Sequence, residues 1–132
     1  MKVIWIYWNT GIDNAPRLVK ECVNSWIENN PDWDVKLLDD ESLYHYLTID
    51  HIPNLSTAHF SDLLRLELLC KYGGLWVDAT TYCINPLSDW LPVGNGLFFF
   101  KSEEWRYGLS NWFIYSKPNN PILMELLSYL NS

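Results

Sequence analysis

The sequence predicts an α/β fold, a mostly parallel sheet flanked by helices, and three stretches carry that prediction. Val3–Trp8 is apolar without alternation, as in a strand buried on both faces. An amphipathic helix and a second strand, Asp34–Leu38, follow it and complete a right-handed parallel crossover. Residues 56–82, STAHFSDLLRLELLCKYGGLWVDATTY, then read as a buried helix, a two-glycine break and a short strand ending at an exposed acid. Residues 1–132 suffice for one domain with a sizeable core.

The elements follow in order. Val3–Trp8 is expected to be central and parallel. NTGIDNAP is a loop at its carboxyl end. Pro16–Asn29 is a helix whose Leu18, Val19, Cys22, Val23, Trp26 and Ile27 repeat at three and four, so one face packs on the sheet. Asp39 or Asp40 caps a short helix over ESLYHYL. Ser56 or Thr57 caps the long helix, and Gly73 ends it, because only glycine takes the left-handed turn there without steric penalty. Leu75–Val77 is a buried strand. Leu97–Lys101 and Asn111–Ser116 form an antiparallel pair, with Ser88–Leu91 as a helical turn and Gly94–Gly96 as a loop before them. Pro121–Leu130 is an amphipathic helix started by Asn119 or Asn120.

Bulk properties narrow the class. Hydrophobic residues make up 48% and charged residues 19%, a globular balance. A net charge of -7 excludes general nucleic-acid or anionic-membrane binding. No signal-peptide pattern and no apolar run of membrane-spanning length is present. Cys22, Cys70 and Cys83 are odd in number and lack paired metal spacing, so they read as reduced core residues of a cytoplasmic protein. Eight Trp and eight Tyr are enough to fill a core and still stack on sugars or bases.

The chemistry sits around Asp78, since open α/β sheets place ligands at the carboxyl ends of strands. Asp62 and Arg65, three residues apart, share a helix face. They form either a plain ion pair or a ligand-holding pair beside Asp78. His59 could extend that stripe, although a packed helical histidine is the commoner outcome. Glu103 and Glu104 could act on an acceptor but read better as solvated loop charges. WNTGID lacks a dinucleotide-binding G-x-G-x-x-G, and no G-K-[ST] of a P-loop exists.

SDLLRLELLCKYGGLWVDAT resembles the core of the capsular polysaccharide synthesis proteins, and of the wider glycosyltransferases whose sugar-binding region contains a DXD motif. VIWIYWNTG, PRLVKECVNSWIENNPDWDVKLLD and NPL match in type and order, so the likeness covers about the first ninety residues. It implies a GT-A-like nucleotide-sugar-binding sandwich and transfer of a sugar from a nucleotide sugar to a growing bacterial surface polysaccharide. By resemblance, Asp62 and Arg65 hold ribose or donor sugar, and Asp78 is the first acid of the motif. Trp5 and Ile6 would line the base pocket with Trp8 and Asn9 at its rim, while Asp39 is a weaker base or ribose contact. Thr80 replaces the second acid, and a neutral hydroxyl binds a hard cation less well than a carboxylate. The implied cofactor is a divalent metal, Mn or Mg, with Asp78 as its ligand. The implied partners are a nucleotide sugar and a glycan or lipid-linked acceptor, with peripheral association to membrane-bound synthesis machinery. Family members usually continue further, so a donor-binding fragment without catalysis is the alternative. An aromatic-rich carbohydrate-binding module is a third reading.

Overall fold

The strands β1 (Val3–Tyr7), β2 (Asp34–Leu38), β3 (Gly74–Val77), β4 (Leu97–Lys101) and β5 (Leu109–Ser116) make one sheet in the order β2-β1-β3-β5-β4. They are seen in a computed structural model that describes residues 2–48, 57–101 and 109–130. β1 runs parallel to β2 and β3, while β5 is antiparallel to β3 and β4. The helices are α1 (Arg17–Asn29), α2 (Thr57–Tyr72) and α3 (Pro121–Leu130).

Strand alternation sends neighbouring side chains to opposite faces and so creates two cores. On one face Ile4, Ile6, Leu75 and Val77 pack with Val19, Val23 and Trp26 of α1. On the other, Trp5, Trp76 and Ile114 pack with Leu64, Leu68 and Leu69 of α2 and Leu123 of α3. The result is three layers, helix–sheet–helix. α2 touches both the sheet and α3, which explains why its sequence is apolar nearly all round.

The observed elements differ from expectation in a few places. The buried stripe of α1 is narrower, since Leu18 and Ile27 lie at its edges and are exposed. Pro16 is the residue before α1 with extended ψ, and its carbonyl accepts from Lys20 N at 3.2 Å. The short helix over ESLYHYL is a 3-10 turn, Ser42–His45. Two further 3-10 turns, Leu87–Asp89 and Val93–Asn95, stand where a helical turn and a loop were expected. β5 starts two residues early, at Leu109 rather than Asn111. Residues 49–56, with His51, Pro53 and Ser56, the side chain of Thr57, and Glu103 and Glu104 lie outside the described residues.

The passage from α2 to β3 is the tightest point of the fold. Gly73 has φ 71 and donates its N–H to Leu69 O at 2.9 Å. Gly74 has φ 109, and a Cβ there would lie 2.4 Å from Val3 Cγ1 and 2.6 Å from Val3 O. Trp5 Nε1 donates to Gly73 O at 3.0 Å, satisfying a carbonyl that the helix end leaves over.

Asp39 caps the 3-10 turn: its Oδ1 accepts from Glu41 N at 2.9 Å and Ser42 N at 2.7 Å. Those backbone donors hold its carboxyl below the usual aspartate range.

Two predictions follow from these contacts. Gly74→Ala combines left-handed strain with a backbone clash and should destabilise by about 3 kcal/mol, lowering Tm by roughly 10 °C. A thermal melt checks this. For Asp39 the folded pKa is lowered, so its stabilisation is present above the unfolded value near about pH 4 and is lost as pH falls through the folded value. The urea-stability gap between wild type and Asp39→Ala should therefore be open at neutral pH and close in acid.

Candidate functional site

The carboxyl ends of β1 and β3, the second turn of α2 and the start of β5 enclose an open cavity of about 550 Å³. That is within the range of small-ligand sites. β1 and its loop supply Tyr7, Trp8 and Asn9; α2 supplies Ser61, Asp62 and Arg65; β3 and its exit supply Trp76, Asp78, Ala79 and Thr80; β5 supplies Asn111.

Arg65 is the centre of this cavity and is only 5% exposed. Its Nε donates to Ser61 O at 3.0 Å, its Nη2 to Ser61 Oγ at 2.7 Å and its Nη1 to the carbonyl of Asn111. The guanidinium carbon lies 5.0 Å from the Trp76 ring centroid, a cation–π contact. Asp62 Oδ1 is 3.5 Å from Nη2 and Asp78 Oδ1 is 3.6 Å from Nη1, so both acids balance its charge beyond hydrogen-bond length. Burial pushes the guanidinium pKa down, and Asp78 and then Asp62 oppose that shift.

The two acids are fixed by other partners. Asp78 Oδ1 accepts from Trp76 Nε1 at 3.0 Å, and the Asp78 N–H donates to Trp112 O at 2.9 Å. Asp62 Oδ1 accepts from Asn111 Nδ2 at 3.1 Å. Both carboxylates stay partly open to solvent, with side-chain exposures of 22% for Asp62 and 38% for Asp78. Tyr7 donates its hydroxyl to Asp40, and burial, then that bond, raises its pKa. The phenol therefore stays protonated and offers no base.

An irregularity in β5 makes the site possible. Phe99 pairs with Ile114 and Lys101 with Leu109, so β4 advances two residues (99 to 101) while β5 advances five (109 to 114). Such bulges re-aim side chains beside functional sites. Here Asn111 meets α2, joining Asp62 through its amide and Arg65 through its carbonyl.

Of the residues singled out in the sequence, Asp62, Arg65, Asp78 and Thr80 are brought together, and Trp8 and Asn9 stand in the wall. The placement of Trp5 and Ile6 at the pocket needs correction: each is 2% exposed and packs in a core. Both lie too far back along β1, and the cavity begins where the strand ends, at Tyr7. Asp39 is a cap and is absent from the cavity wall. Lys101 lies exposed at the end of β4, outside that wall. Ser61, Trp76 and Asn111 were not foreseen. Ser61, one turn before Arg65, was the one of these with a spacing signal.

A family comparison bears directly on this constellation. The model for capsular polysaccharide synthesis proteins matches residues 1–132. The chain belongs to that family. It is 30% identical over 151 aligned residues to the O-glycosyltransferase braB of Annulohypoxylon truncatum, covering 96% of this chain and 36% of that protein. It is 31% identical over 110 residues to the glycosyltransferase afumC of Aspergillus fumigatus, covering 65% of this chain and 28% of that one. The chain thus spans about a third of the length of these fungal relatives. A solved structure titled PaToxG glycosyltransferase matches with a TM-score of 0.70 over 97% of this chain and 58% of its own, at 17% identity. That likeness shows the shared fold, the GT-A-like sandwich expected from the sequence.

The donor set bears on a metal. Among the described residues no group of three His, Cys, Asp or Glu is placed to hold an ion. Asp78, with one oxygen taken up by Trp76, the partly open Asp62 carboxylate and the exposed Thr80 hydroxyl are oxygen groups of the cavity suited to a hard cation. They fit a cation that keeps open positions for outside ligands and water, and do not fit an all-protein cage.

Arg65→Lys should test the fork geometry. Lysine keeps the charge but cannot serve Ser61 and the Asn111 carbonyl together. Stability in urea should fall by about 1–3 kcal/mol with the m value unchanged.

Proposed function

We propose that this protein is a glycosyltransferase that moves a sugar from a nucleotide-sugar donor to a hydroxyl of a glycan or lipid-linked acceptor. The observation that carries the reading is the Asp62–Arg65–Asp78 cluster, held at the carboxyl end of β3 inside the cavity. The names of the matched relatives support the reaction class.

Each part of the donor has a counterpart in the wall. A base and ribose fit the β1 side, against Tyr7, Trp8 and Asn9. Sugar hydroxyls fit the free capacity of Asp62 and Asn111, which already bond each other and are therefore pre-oriented. The diphosphate belongs beside Arg65, Asp78 and Thr80. Two carboxylates against one guanidinium leave the cluster net negative, so a diphosphate needs a further cation there. A divalent ion, Mn or Mg, would supply that charge and stabilise the leaving diphosphate.

In the transfer, the bond from the anomeric carbon to the diphosphate oxygen breaks. The acceptor oxygen bonds to that carbon, and its proton passes to the released diphosphate or to water. Arg65 is the fixed positive group nearest to the charge that develops. The buried free cysteines are consistent with a reducing, cytoplasmic setting. Among the described residues no helix is long and apolar enough to cross a membrane.

Asp78→Asn keeps the size of the side chain and removes its charge. Transfer or donor hydrolysis should fall by about a hundredfold or more, and the stabilisation by a nucleotide sugar with manganese should vanish from a thermal-shift panel. The apo Tm should stay within a few degrees of wild type. Transfer at the wild-type rate by Asp78→Asn would sink this assignment.

A further inference from the structure

A second cleft, of about 220 Å³, opens beside the first, and its wall is aromatic: Tyr82, Trp90, Phe100 and Trp112, with Thr81 and Asn85 as polar neighbours. Among the described residues no charged side chain lines it, in a protein of net charge -7. Tyr82 is 60% exposed and Trp112 39%. Phe100 and Trp112 stack with centroids 5.1 Å apart and 7° between planes, and Trp90 leans on Phe98, Phe100 and Phe113.

The wall is built rather than loose. Although the segment from Thr81 to Leu87 is irregular, side chains of α1 hold its backbone. Trp26 Nε1 donates to Thr81 O at 2.8 Å and Asn29 Nδ2 to Cys83 O at 3.0 Å. Cys83 N donates to Ser25 Oγ at 2.8 Å, and Leu87 N to Asn30 Oδ1 at 2.7 Å. Ser25 and Asn30 are both buried, so these bonds are shielded from water. They fix the backbone on both sides of Tyr82, which lowers the backbone entropy lost on binding.

The cleft's wall adjoins that of the first cavity along two chain segments. Thr80 and Asn111 belong to that cavity, and the next residues, Thr81 and Trp112, belong to this cleft. The Trp112 carbonyl accepts from the Asp78 N–H at 2.9 Å. The same strand end therefore divides a charged pocket from an aromatic one whose described lining is uncharged.

We propose that the aromatic cleft is the acceptor subsite, and that it takes a neutral sugar ring stacked on Tyr82, Trp90 and Trp112 with a hydroxyl directed toward the Asp78 side. This rests on the transferase reading above. Charge division is the argument: an anionic donor needs the cationic and metal-binding side, whereas a neutral ring needs apolar faces with a few uncharged hydrogen-bonding groups. The Asn85 amide, the Thr81 and Tyr82 hydroxyls and the Trp90 and Trp112 indole N–H groups are of that kind.

The experiment measures steady-state transfer by the full-length protein from its nucleotide-sugar donor to a panel of neutral methyl and p-nitrophenyl glycosides, charged uronides and aliphatic alcohols. Wild type is compared with Tyr82→Ala, Trp90→Ala and the conservative Trp90→Phe, and donor affinity is measured separately by calorimetry. Tyr82→Ala and Trp90→Ala should raise acceptor KM by about tenfold, with donor Kd within about twofold and Trp90→Phe near wild type. Unchanged acceptor KM in both alanine variants would overturn the proposal. So would a parallel loss of donor affinity, which would mark these rings as structural. Preference for a charged or purely aliphatic acceptor over every glycoside would overturn the sugar assignment. Absence of donor binding in wild type would instead refute the transferase reading itself, so the two failures are distinguishable.

Discussion

Arg65 carries a full positive charge almost out of reach of water, and the functional end of the sheet is arranged around holding it there. A buried cation without partners would be prohibitively unstable. Its fork is satisfied by a helix carbonyl, a serine hydroxyl and the carbonyl of a bulged strand, while a tryptophan face and two carboxylates balance the charge. Each partner comes from an element that must be in register. Placement of α2 against β3 and β5 is therefore tied to the geometry of the cavity, and a shift of one element would leave several polar groups unpaired at once.

The same arrangement explains why the acids remain usable. A short, direct salt bridge from Arg65 to either carboxylate would spend its charge within the protein. Instead the backbone and Ser61 take the hydrogen bonds, and the carboxylates lie at 3.5 and 3.6 Å, each steadied by a neutral donor, Asn111 or Trp76. Neutral donors orient a carboxylate without cancelling its charge, so both acids keep acceptor capacity toward the cavity. The aromatic cleft, whose wall begins one residue further along the chain, has no charged group in its described lining.

Much of the site was legible because its signals are local. Asp62 and Arg65 share a helix face by spacing, and Asp78 stands at a strand end by the pattern of apolar residues before it. Asn111 left no such trace. It reads as an ordinary strand residue, and it reaches Asp62 through a bulge that depends on how β4 and β5 pair across residues distant in sequence. Trp5 shows the opposite error. The family resemblance placed it in the base pocket, yet alternation and the close approach at Gly73–Gly74 commit it to the core.

The sequence by itself determined the α/β class, the crossover, the helix–Gly-Gly–strand unit and the cluster of Asp62, Arg65 and Asp78, because periodicity, glycine geometry and i,i+3 spacing act over a few residues. Only the tertiary structure decided which neighbours complete the cluster, where the cavity begins along β1, and that the surplus aromatics gather into a second cleft. Those features arise from side chains far apart in the chain meeting across strands, and a linear pattern carries no record of the register that brings them together.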